Sequence, residues 1–148
     1  MSGFAPRPVG CTGCPAEKLG LGYVPGSGPL DSPVYILGQG PGRTESEGLW
    51  DIPTQEYVRA PFIGRSGAKL SDWMRRAGWP SNWRSRVRLD NTVRCWLRKG
   101  NKDLKPSPRM VEHCRRAHWG PEFAAHPRTL VIAVGVPAME TTYGSWAS

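Results

Sequence analysis

Apolar positions in this chain gather in short continuous runs separated by Gly- and Pro-rich stretches. Val34, Tyr35, Ile36 and Leu37 form one such run, partly β-branched and closed by Gly38, which reads as a buried strand. Val87 to Val93 reads as a second strand with Val87, Leu89, Asn91 and Val93 on one face. Thr129 to Gly135 is a third strand, apolar through Val134 and again ending in glycine. Between them the period changes. Leu70, Trp73, Met74 and Ala77 recur at helical steps, predicting an amphipathic helix over Ser66 to Gly78, with Ser66 as its cap and Gly78 as its stop. Pro106 to Pro108 opens a further helix through Arg109 to His118. The polar stretch from Arg43 to Ala60 reads as a long loop or short helical pieces, and residues 1–32 read as loop. Continuous apolar strands alternating with helices predict an α/β fold with a parallel sheet covered on both faces.

The chain has 148 residues, which predicts one domain spanning 1–148. No apolar run reaches the ~18 residues of a bilayer span. The opening residues, Met1 to Gly10, lack an apolar segment followed by a small-residue cleavage site. The expectation is a cytoplasmic protein with no membrane partner. The net charge of +8 changes the picture more. Arg75, Arg76, Arg84, Arg86, Arg88, Arg94 and Arg98 fall in one stretch, and a surface of that kind attracts phosphate backbones. The seven tryptophans are expected to pack mostly in the core.

Four cysteines remain: Cys11, Cys14, Cys95 and Cys114. Without an export signal, disulfides are disfavoured and a metal or redox role gains weight. A zinc ribbon shows two close pairs, whereas this chain has one CxxC and two distant single cysteines. Iron–sulfur clusters tolerate such scatter because the fold gathers the thiolates. An accidental CxxC beside two buried free thiols is the plain alternative.

The glycine-rich turn Gly38, Gln39, Gly40, Pro41, Gly42 lies at the C-terminal end of the first strand, where open α/β sheets bind ligands. Together with Glu45, the run Pro61-Phe-Ile-Gly-Arg-Ser-Gly67, Leu70, Asn91-Thr-Val-Arg-Cys95, Asn101, Pro106-Ser-Pro108, Cys114 and the strand Leu130 to Gly135, it forms an ordered set. With Cys11-Thr-Gly-Cys14 in front, this set resembles the iron–sulfur (family 4) branch of the uracil-DNA glycosylase superfamily over nearly the whole chain. The resemblance implies a three-layer αβα fold with a central, mostly parallel sheet.

It also implies a reaction: hydrolysis of the N-glycosidic bond of a uracil flipped out of single- or double-stranded DNA. Phe62 would stack on the uracil ring, and the Asn91 amide would both donate to and accept from its edge. Gly38, Gly40, Pro41 and Gly42 would bring backbone against the base and an attacking water. Cys11, Cys14, Cys95 and Cys114 would hold a structural 4Fe–4S cluster tying residues 1–32 to the segment after the second strand; zinc is the alternative metal.

The chain departs from the family in three places. The second residue of the glycine-rich turn is usually glutamate and is here Gln39, an amide that can orient water but cannot take its proton; Glu45 keeps its place and partly compensates. The segment between Gly42 and Pro61, carrying Trp50, Asp51 and Tyr57, is longer than in the family. The family's last strand and its His-Pro-Ser and DNA-wedging loops have no match here, and His126-Pro127 lies before the third strand. The expectation is a shortened or weakly catalytic monomer, with a partner chain that supplies those elements as the alternative. His113 and His118 are expected to face solvent. Two other functions stay open: a non-catalytic DNA-binding module of this fold, and a basic zinc-binding nucleic-acid protein.

Overall fold

The structure is a computed structural model that describes residues 3–147, with side chains as far as Tyr143. Met1, Ser2 and Ser148, which the expected 1–148 domain includes, lie outside the described residues. Strand β1 is Gly20–Leu21; β2 is Val34–Gly38; α1 is Arg43–Glu47; β3 is Leu49–Asp51 and β4 Glu56–Val58. Helix α2 spans Arg65–Arg76, followed by β5 (Arg88–Asn91), β6 (Trp96–Lys99) and β7 (Lys102–Asp103). Then come α3 (Pro108–Cys114), a π-helical stretch (Arg115–Trp119), α4 (Gly120–Ala124), β8 (Leu130–Ala133) and α5 (Val136–Ala147).

The three apolar runs become the three strands of one parallel sheet, in the order β5-β2-β8. Tyr35 pairs in register with Arg88 on one side and Val131 on the other, and Gly38 pairs with Asn91. Alternation along β2 then sorts its side chains into two cores. Tyr35 and Leu37 join Val93, Leu97, Val111, Cys114, Trp119 and Ala138 on the face covered by α3 and α5. Ile36 joins Phe62, Leu70, Met74, Trp83, Val87 and Leu89 on the face covered by α2. A strand apolar on both faces needs helices above and below, and this one has them.

Several boundaries move. Helix α2 starts at Arg65, with Gly64 rather than Ser66 at the N-cap position and no side chain capping it. Gly78, with φ of 91°, follows the helix as its stop. Of its expected apolar face, Leu70 and Met74 are buried, but Trp73 is 55% exposed and Ala77 is exposed. The stripe that meets the sheet is the narrower i, i+4 row. Ser107 caps α3 by accepting a hydrogen bond from the Met110 N–H at 3.3 Å.

Residues 43–60 contain α1 and the antiparallel hairpin β3–β4 rather than a plain loop. A second small antiparallel sheet, β1-β6-β7, ties the N-terminal segment to the region after β5. Trp83, Trp96 and Trp119 are buried as expected, whereas Trp50 and Trp73 are more than half exposed. Among the described residues no helix is long and apolar enough to cross a membrane.

Candidate functional site

A cavity of about 430 Å³ opens at the C-terminal ends of β2, β5 and β8. Its wall contains Gln39, Gly40, Pro41, Gly42, Glu45, Phe62 and Asn91, which brings three separate stretches of the sequence to one place. Gly38 lies beneath them. A methyl group on its Cα would stand 2.6 Å from Asn91 Oδ1 and 2.6 Å from Phe62 Cζ. No real Cβ tolerates such contacts, so glycine here lets the ring and the amide close over one point.

Phe62 is 6% exposed and has φ of 60°, a left-handed conformation that costs a bulky residue about 1–3 kcal/mol. Its surroundings hold it there. Arg84 donates to the Pro61 carbonyl at 3.3 Å and to the Phe62 carbonyl. Gly67, inside α2, lets that carbonyl approach the helix, since a Cβ there would lie 1.7 Å from Phe62 O. The motif's second glycine therefore serves close backbone packing, and Arg84 is a site-holding residue that spacing alone did not single out.

Glu45 is 8% exposed, and both of its carboxylate oxygens are engaged. Oε1 accepts the Gly42 N–H at 2.9 Å and Oε2 the Gly64 N–H at 2.5 Å. The side chain thus clamps the glycine-rich turn to the Phe62 loop. Gln39 is half-buried, its carbonyl accepting from Thr92 Oγ1 at 2.5 Å, and its side chain lies 3.7 Å from where a Gly135 Cβ would be. Among the described residues the Asn91 side chain makes no hydrogen bond, while its backbone N–H donates to Asp90 Oδ1 at 2.8 Å. The amide is buried, 3% exposed, and turned to the cavity it lines. No histidine lines this cavity among the described residues.

Beneath the pocket lies a buried polar network absent from the sequence expectations. Asp90, fully buried, accepts from Arg94 Nε at 3.1 Å and Nη2 at 2.6 Å and from the Tyr35 hydroxyl at 3.1 Å. Glu122 receives Arg94 and, at 2.8 Å, Arg88. Burial, with the Asp90 carboxylate beside it, pushes the Tyr35 hydroxyl well above its ordinary range, so it remains a proton donor. The signal was in the sequence: the opposite charges Arg88 and Asp90 alternate with Val87 and Leu89 in one strand. Arg88 and Arg94 are each 6% exposed, so the arginine run is not a continuous phosphate-binding surface as expected. Two of its members neutralise the buried Asp90 and the half-buried Glu122 instead.

The network continues to the cysteines. Arg94 Nη1 donates to the Tyr23 hydroxyl at 2.8 Å, which lies 3.4 Å from His118 Nδ1, and His118 Nε2 lies 3.3 Å from Cys11 Sγ. His113 Nε2 contacts the Gly10 carbonyl at 2.9 Å. Both histidines are half-buried against the N-terminal loop and do not face solvent. Helical periodicity marks a polar face but cannot tell solvent from a Gly- and Pro-rich loop folded over it.

Cys11, Cys14, Cys95 and Cys114 line one small depression, so the fold gathers all four. Burial, and then the neighbouring Cys14, pushes the Cys95 thiol up to about 11; burial also raises Cys114 and Cys11. As the side chains stand, among the described residues no three His, Cys, Asp or Glu are arranged to hold a metal ion. The space between the cysteines is about 20 Å³, room for about one water. The donor set, four thiols gathered by the fold, suits an iron–sulfur centre.

The comparisons with known proteins agree with this geometry. A family model described as the uracil DNA glycosylase superfamily matches residues 25–147. A type-4 uracil-DNA glycosylase of Thermotoga maritima is 32% identical over 129 residues, covering 87% of this chain and 58% of that protein. A type-4 uracil-DNA glycosylase of Pyrobaculum aerophilum is 30% identical over 104 residues, covering 70% of this chain and 45% of that protein. The chain therefore spans about half the length of these curated relatives. The parallel sheet, the glycine-rich turn at its C-terminal edge and the Phe62–Asn91 wall all lie within the matched residues, and the chain belongs to the uracil DNA glycosylase superfamily.

Proposed function

We propose that this chain binds an extruded uracil in DNA and hydrolyses its N-glycosidic bond, the opening step of base excision repair. One observation carries the reading: an aromatic ring and an amide that has no hydrogen-bond partner among the described residues meet over Gly38 at the C-terminal end of a parallel sheet. Phe62 stacks on the pyrimidine ring. Asn91 presents a donor and an acceptor to its edge, matching the carbonyl and ring N–H of uracil, and mismatching the exocyclic amine and bare ring nitrogen of cytosine. The backbone of Gly40 to Gly42 and the Gln39 amide orient water and the base. Proton removal is not available to Gln39. Glu45, with both oxygens held by backbone N–H groups, keeps the two pocket loops together; we assign it a positioning role.

Asn91→Ala is expected to reduce the preference for uracil over cytosine strands by about 1–3 kcal/mol, the cost of an unmet buried polar partner. Competition binding with oligonucleotides that differ only at that base measures it. An unchanged preference contradicts the role of Asn91.

The four cysteines are proposed to hold a 4Fe–4S cluster, which would cross-link the N-terminal loop, the residue leading into β6 and the end of α3 rather than supply a chemical step. Burial raises the pKa of the Cys11, Cys95 and Cys114 thiols, which favours their neutral form until a metal displaces the protons. Anaerobically purified protein is expected to contain about four irons and four sulfides per chain. Cys95→Ala loses the cluster and lowers the unfolding midpoint. Stoichiometric zinc without sulfide, in protein made with ample iron, assigns the site to zinc instead.

A further inference from the structure

The hairpin β3–β4 is not needed to build the pocket, yet it grows from the pocket's rim. Its two flanks are α1, which supplies Gly42 to Glu45 to the wall, and the Pro61–Gly64 loop, which supplies Phe62. The base of the hairpin is fixed by Arg59 Nε donating to the Ser46 carbonyl at 3.1 Å. Its tip is fixed as well: the Gln55 N–H donates to the Asp51 carbonyl at 2.8 Å, and Thr54 Oγ1 donates to the Asp51 carboxylate at 2.7 Å. This is a formed arm whose strands pair Leu49 with Val58 and Trp50 with Tyr57.

What the arm does not have is cover. Leu49 is 48% exposed, Trp50 52%, Ile52 78% and Val58 43%, so both faces of a two-stranded ribbon present apolar groups. Such a cluster on one element marks an interaction site. Tyr57 meets Trp50 edge to face, with ring centroids 5.2 Å apart and an interplanar angle of 65°. Tyr57 is half-buried and thereby props the indole, which keeps a flat face available.

We propose that Trp50, braced by Tyr57, is a stacking platform for the nucleobase beside the extruded one; the proposal rests on the reading of the cavity as a DNA-base pocket. The occupant follows from the charges on the two flanks of the arm. Arg43 and Arg65 line the same cavity mouth with exposed side chains, and Lys69 lies exposed one turn further along α2. These cations suit the phosphates of a strand entering the pocket. Arg43 keeps a solvent-exposed pair with Glu47 at 2.8 Å, of the kind that competes weakly with an incoming phosphate. The arm itself carries Asp51 and Glu56 toward its tip, which repel phosphate there and leave the aromatic face to bases. Every base has a π-face, so the contact tolerates sequence.

The test uses the full chain and single-stranded oligonucleotides with one uracil or one thymine, each flanked by 2-aminopurine. Trp50→Ala is expected to weaken binding to both strands about 5- to 100-fold, the usual effect of removing one stacked aromatic. The uracil-to-thymine ratio stays at its wild-type value, the 2-aminopurine fluorescence change is lost, and Trp50→Phe restores most of both. Equal affinity and an equal 2-aminopurine signal in Trp50→Ala overturn the proposal. If the wild type shows no uracil preference while Trp50→Ala still weakens both strands, the pocket reading fails and the platform stands.

Discussion

Replacing Arg94 with methionine is expected to cost about 3–5 kcal/mol of folding stability, a large share of the ~5–15 kcal/mol that holds a domain together. Methionine keeps the length of the side chain and removes its charge. Asp90, with no exposed surface, then loses both guanidinium contacts at 3.1 and 2.6 Å and is left as a buried carboxylate with only neutral donors. Glu122 keeps Arg88, so the deficit falls on Asp90. Because Asp90 also holds the Asn91 N–H at 2.8 Å, the pocket loosens before the fold is lost. Urea unfolding followed by circular dichroism, at matched metal content, measures the change. Adding Asp90→Asn to Arg94→Met removes the stranded charge and is expected to recover part of the loss. A loss below about 1 kcal/mol in the single variant would mean that water or another cation reaches Asp90.

Gly38→Ala is the second change of large effect, and it separates the site from the fold. The new methyl lies 2.6 Å from both Asn91 Oδ1 and Phe62 Cζ, so the ring and the amide must part. A shift of about 1 Å in such a constellation costs about 100-fold in rate, while overpacking of this kind costs about 1–3 kcal/mol in stability. Single-turnover measurement on uracil DNA, at a temperature where the variant is folded, distinguishes the two. A folded Gly38→Ala with wild-type uracil preference would show that the base does not lie over Gly38. Glu45→Gln serves as contrast: it keeps one acceptor oxygen for the N–H groups of Gly42 and Gly64, so its loss is smaller.

Two strands of the parallel sheet, β2 and β8, were legible because they are apolar on both faces, and β5 because apolar residues alternate along it. Val34 to Leu37 marks β2 without help from any resemblance. The pocket was legible for a different reason: Gly38 to Gly42 and Asn91 stand at strand ends, where open α/β sheets bind ligands, and Phe62 lies in a Pro-Phe-Ile-Gly run that carries the family resemblance. The hairpin β3–β4 was not. Each strand is three residues long and exposed on both faces, so no alternation announces it. Strands β1 and β7 are two residues each and exist only through their pairing with β6. Charge misled most. Arg88 and Arg94 count toward a basic chain, yet they spend their charge on Asp90 and Glu122, a matter of burial that composition does not carry. The histidines misled likewise, since the loop that covers them has no periodicity to predict.

The central claim is that the cavity over Gly38 takes uracil and that the residues of this chain act on its glycosidic bond. An abasic-site assay under single-turnover conditions, with protein in excess over matched uracil and thymine strands, tests it directly. The account predicts alkali-labile breaks at uracil alone, accumulating slowly. No histidine lines the cavity among the described residues, and one missing donor of that kind costs about 100- to 1000-fold. Equal binding of the two strands, with neither cut, would contradict it.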